Sequence, residues 1–68
     1  MRYKCTKNHQ FKSDLDVEIA LYSGFYDVHI IENIVKINGN GSSQAITKTE
    51  LDNLVKSIIC ISSDLIRH

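Results

Sequence analysis

The spacing of apolar residues changes once along this 68-residue chain, and the change falls at Thr47. Before it, apolar side chains recur at every second residue; after it, at every third or fourth. A period of two belongs to a strand with one buried face, and a period near 3.6 to a helix. Strands in series followed by one helix predict an α+β fold of two layers: an antiparallel β-meander of four to five strands with a C-terminal helix packed on one face. The strands fall within residues 2–46 and the helix over about 48–66. The length suits one domain, 1–68, and no second.

Asp14–Tyr22 alternates most clearly, with Leu15, Val17, Ile19 and Leu21 set between Asp14, Asp16 and Glu18. If Ser23-Gly24 is a two-residue hairpin loop, Leu21 falls opposite Tyr26, Ile19 opposite Val28 and Val17 opposite Ile30. One face is then apolar on both strands, and a one-residue slip would destroy the match. The reverse face pairs Asp16, Glu18, Ala20 and Tyr22 with Ile31, His29, Asp27 and Phe25. After Ile30 the phase shifts, since Ile31, Val35 and Ile37 share the other parity, and a bulge or tight turn at Glu32-Asn33 reconciles them. Ile34–Asn38 reads as the next strand. Asn40-Gly41, the strongest hairpin signal present, returns it through Ser43–Ile46. Arg2–Thr6 reads as an added edge strand with Tyr3 and Cys5 on one face.

Thr47-Lys48-Thr49-Glu50 fits a capping box, with Ile46 and Leu51 at the two staple positions. Leu51, Leu54, Val55, Ile58, Ile59, Ser62, Leu65 and Ile66 then follow helical spacing, and Arg67 and His68 place positive charge in the last turn. With Ile61 included, the apolar arc covers roughly 160°, more than the ~100° that docking on one face requires. Ile59, Ile61 and Ile66 at its edges are either buried by a curling sheet or form an oligomer contact. Cys60 falls on the polar arc, among Asn53, Lys56, Asp64 and Arg67. That placement turns it away from the sheet and argues against a Cys5–Cys60 disulfide.

Few residues have the spacing of a chemical site. Cys5 and His9 are placed like half of a zinc ribbon, but no second ligand pair follows, and a structural zinc takes four ligands. No metal and no cofactor is expected. His29 faces Glu18 across the supposed hairpin, an arrangement open to acid–base work, yet no nucleophile accompanies it. Asn38-Gly39-Asn40-Gly41 lacks the lysine of a phosphate-binding loop. An enzyme is therefore not expected. No run of roughly eighteen apolar residues occurs, so no membrane span is expected. The polar opening Met1–Asn8 lacks the apolar middle of a signal peptide, and together with only two cysteines it points to the cytoplasm.

The formal net charge is zero, from eight basic and eight acidic side chains, but the charges are segregated. Residues 1–12 carry +4, residues 13–32 carry −5 and the remainder +1. A bipolar surface orients charged partners. A core this small rarely supplies more than ~3–5 kcal/mol, so a homo-oligomer or a larger partner protein is expected to add stability. The leading expectation is a non-enzymatic binding module that regulates or inhibits a larger protein, as a small phage or mobile-element inhibitor would. It would use the acidic residues Asp14, Asp16, Glu18 and Asp27 with the aromatic tip Tyr22 and Phe25. The alternative is single-stranded nucleic-acid binding through Tyr3, Lys4, Lys7, Phe11 and Lys12, where cations and aromatics interleave.

Overall fold

The computed structural model describes residues 1–63. In chain order these form β1 (Arg2–Cys5), β2 (His9–Lys12), β3 (Glu18–Leu21), β4 (Gly24–Ile31), β5 (Ile34–Gly39), β6 (Ser42–Thr47), α1 (Lys48–Lys56) and β7 (Cys60–Ser62). The fold is α+β. Five strands make one antiparallel sheet in the order β6-β5-β4-β1-β7, and β2 with β3 makes a separate two-stranded sheet. The β2–β3 hairpin and α1 supply Ile19, Leu21, Leu51 and Leu54 to a single core with Tyr26, Val28, Val35, Ile37 and Ile46 of the large sheet. That core lies on one face of the sheet only.

The β4-β5-β6 meander follows its turn chemistry. Asn40 and Gly41 have φ of 53° and 75°, the pair of positive values that a type I′ hairpin turn requires. Glu32, in the turn between β4 and β5, has φ 56°, and this tight turn is the phase shift seen at Glu32-Asn33. Gly39 is needed for a different reason: a Cβ there would sit 2.8 Å from the Tyr26 ring and 2.9 Å from the Phe25 carbonyl oxygen.

Ser23-Gly24 is not a hairpin loop. β3 pairs with β2, placing Phe11 opposite Ile19 and His9 opposite Leu21, while β4 pairs with β1 and β5. Ile19, Leu21, Tyr26 and Val28 do all face the core, but across two layers rather than side by side. Alternation reports which face a residue takes and is silent about its neighbour. The strand also starts later than Asp14. Ser13–Val17 is a turn closed by Ser13 N–H to Val17 O and Asp16 N–H to Ser13 O, both 2.9 Å, which leaves Leu15 and Val17 exposed.

The helix begins as its capping box dictates. Glu50 N–H donates to Thr47 Oγ1 at 3.2 Å, and Thr47 N–H donates to Glu50 Oε1 at 2.9 Å; Ile46 and Leu51 are both buried. It stops at Lys56, ten residues short of the expected end. Ile58 N–H donates to Val55 O at 3.0 Å and Ile59 N–H to Leu54 O at 2.9 Å, the two bonds of a Schellman motif. The chain then enters β7 beside β1. β1 is consequently an interior strand, not an edge, and the helix is not the last element. Leu65, Ile66, Arg67 and His68 lie outside the described residues.

Candidate functional site

With α1 and the hairpin on one side, the other face of the five-stranded sheet is uncovered among the described residues. Strand alternation decides what it displays. β1 inserts Tyr3 and Cys5 and presents Arg2 and Lys4. β4 inserts Tyr26, Val28 and Ile30 and presents Phe25, Asp27, His29 and Ile31. Register places Arg2 opposite Asp27, Lys4 opposite Phe25 and His29 opposite Lys36. Phe25 is 49% exposed and Ile31 59%. The Arg2 guanidinium lies 4.7 Å from the Phe25 ring centroid and the Lys4 ammonium 5.7 Å. Each cation meets the negative face of the ring, so Phe25 is tied to its two basic neighbours on β1. Among the described residues three cations, Arg2, Lys4 and Lys36, face one carboxylate, Asp27, giving this surface a basic balance.

The expected acidic and aromatic residues are divided between two places. Phe25 and Asp27 belong to the open face. Asp14 and Asp16 lie in the turn before β3, Glu18 at its first position and Tyr22 just after it. Asp16 pairs with Lys12 at 3.0 Å on the surface, an exposed contact of small energetic weight. Glu18 stands opposite Lys12, not His29, so the supposed acid–base pair does not form.

The interleaved aromatic and basic residues are separated as well. Tyr3 and Phe11 turn inward and pack against the core. Lys4 alone joins the open face, Lys7 lies between β1 and β2, and Lys12 is with Asp16. Of the expected oligomer contacts, Ile59 is buried in its own core at 8% exposure. Ile61 is half-buried opposite Lys4, and Ile66 lies outside the described residues. Arg2, Ile31 and Lys36 were missed. Their signal is alternation: Ile31 already falls on the face of Phe25 and Asp27, Lys36 lies between the inward Val35 and Ile37, and if Tyr3 and Cys5 share the core face, Arg2 and Lys4 must share the other.

Behind the sheet, a cleft of about 370 Å³ lies between β2 and α1, lined among others by His9, Phe11, Asp14, Glu50, Leu54 and Ile59. Its buried-side carboxylate is committed to structure. Glu50 accepts from the Ser13 hydroxyl at 2.7 Å, the Asp14 N–H at 2.8 Å and the Thr47 N–H at 2.9 Å. Burial pushes the Glu50 carboxyl up, but the hydrogen bonds from Thr47, Ser13 and Asp14 outweigh it and hold it below the ordinary glutamate value. Among the described residues no cluster of three or more His, Cys, Asp or Glu side chains is placed to hold a metal, and no helix is long and apolar enough to cross a membrane.

Cys60 departs most from its expected place. It is a strand residue, 3% exposed, directly opposite Cys5 at 1%. Comparison with protein-family models, curated proteins and solved structures finds no match.

Proposed function

We propose that this chain is a small, non-enzymatic protein-binding module that docks on a larger partner through the open face of the five-stranded sheet and so regulates or inhibits it. Phe25 carries the reading: a large ring, half exposed, set on an uncovered face and held there by Arg2 and Lys4. Exposed aromatic and arginine side chains on a preorganised surface are the types that dominate binding energy at protein interfaces. Ile31 adds a second apolar anchor on the same strand face. Arg2, Lys4 and Lys36 around them suit a partner surface with an acidic rim and an apolar centre. Asp14, Asp16 and Glu18, on the hairpin behind the sheet, would orient the approach by repelling that rim. The target would lie in the cytoplasm, as for a small phage or mobile-element inhibitor.

Single-stranded nucleic acid is the competing occupant, favoured by three cations and an aromatic ring on one face. Asp27 amid those cations and the inward turn of Tyr3 and Phe11 count against it.

The test uses three baits in a lysate of the native host: wild type, the double variant Phe25→Ala with Ile31→Ala, and Lys56→Ala on the helix as control. Wild type and control are expected to retain the same partner and the double variant to lose it while keeping its melting temperature. Equal capture by all three overturns the docking face. Binding to a random single-stranded oligonucleotide that weakens steeply with salt would replace the protein partner with nucleic acid.

A further inference from the structure

We infer that Cys5 and Cys60 form a reversible dithiol–disulfide site that staples the edge strand β7 to β1. The two residues are opposed in the antiparallel β1–β7 pair, both belong to the core, and their Sγ atoms are 3.1 Å apart. The ladder specifies the geometry further. Thr6 N–H donates to Ile59 O at 2.8 Å, so Thr6 occupies a hydrogen-bonding position of the ladder opposite Ile59. By alternation Cys5 and Cys60 form a non-hydrogen-bonded pair, the closer kind, with Cα atoms about 4.5 Å apart. That spacing lies within the ~4.4–6.8 Å that a disulfide bridges. Both side chains point to the same face, so bond formation needs the sulfurs to close by about 1 Å and no strand to change its register.

The oxidant is a small disulfide, R–S–S–R. The thiolate of Cys5 attacks one of its sulfurs, giving a Cys5 mixed disulfide and releasing R–S⁻, which takes up a proton. Cys60 then loses its proton and attacks Cys5 Sγ, displacing the second R–S⁻ and leaving the Cys5–Cys60 bond. Two thiols are oxidised by two electrons, and one R–S–S–R is reduced to two R–SH. The hydrogen bond shared by the two sulfurs pulls the Cys5 thiol down against burial, and the same contact, with burial, pushes Cys60 up. The opposed placement is symmetric, so the same exchange runs equally with Cys60 attacking first and Cys5 resolving. Access comes from the edge. β7 has three residues and, among the described residues, one strand neighbour, so it opens locally at lower cost than the interior strands. A reducing compartment keeps the pair as dithiol, and an oxidising one closes the staple.

The reduced full chain, equilibrated at neutral pH with oxidised glutathione, provides the test. The expected product is a monomer lighter by about 2 Da, two hydrogens, without retained glutathione. Its melting temperature should rise by roughly 10 °C or more, because the bond closes a long loop in the unfolded chain, and dithiothreitol should reverse both changes. Cys60→Ser should stop at a single glutathione adduct with no such rise. Two free thiols after equilibration, covalent dimers only, or a bond that lowers the melting temperature would each overturn the inference. The wild-type readouts stand even if the variant fails to fold.

Discussion

The Ser13 hydroxyl donates to Glu50 Oε1 at 2.7 Å across 37 residues of chain. Through that contact one carboxylate joins the start of the helix to the turn that closes the β2–β3 hairpin. Asp14 N–H bonds its other oxygen, and Ser13 itself is 4% exposed. The helix cap and the hairpin turn are therefore stabilised together.

Acid should undo this joint. The folded-state pKa of Glu50 lies below the ordinary 4.5, so its contribution is complete above that value and is lost as pH falls through the lower, folded value. Glu50→Ala should cost about 2–3 kcal/mol at neutral pH, from a lost cap and orphaned donors. Glu50→Gln should cost less, since an amide serves the capping box but turns N–H toward a donor. Urea midpoints at neutral pH and near pH 3 check this. If wild type and Glu50→Gln lose stability in parallel on acidification, the assignment fails.

Ile58 holds φ 59° at the position after the helix cap where glycine is usual. A β-branched residue there is strained by ~1–2 kcal/mol, and at 65% exposure Ile58 recovers little by burial. Ile58→Gly should therefore stabilise the protein by about 0.5–1 kcal/mol after the entropy cost of glycine, raising the melting temperature by a few degrees. A lower melting temperature would contradict the strain.

Gln44 stands in for a missing strand. Its amide accepts from Ala20 N–H at 2.8 Å and donates to Ala20 O at 2.9 Å, satisfying the free edge of β3 from within the large sheet. Gln44→Leu should leave both backbone groups unpaired and cost about 1–3 kcal/mol. Amide exchange provides the local readout: Ala20 should lose protection while Val35 keeps its own. Unchanged protection at Ala20 would show that the amide contact holds nothing.

What was legible in the sequence is local. The Thr47–Glu50 cap and the Asn40-Gly41 turn are decided by residues three apart or fewer, and the facing of Ile19, Leu21, Tyr26 and Val28 by simple alternation. The open-face site was half legible: Phe25, Asp27 and Lys4 were singled out, but assigned to different surfaces, and Arg2, Ile31 and Lys36 were not. Only the tertiary structure decided which strands are neighbours. Backbone hydrogen bonds are the same for every residue type, so β3 could pair with β4 or β2 without altering its pattern of buried side chains. The same holds for residues 58–62, where a short apolar run suits helix or strand equally. Strand won there because β1 offers an unpaired edge to Cys60–Ser62, and no periodicity within the run could report a partner more than fifty residues away.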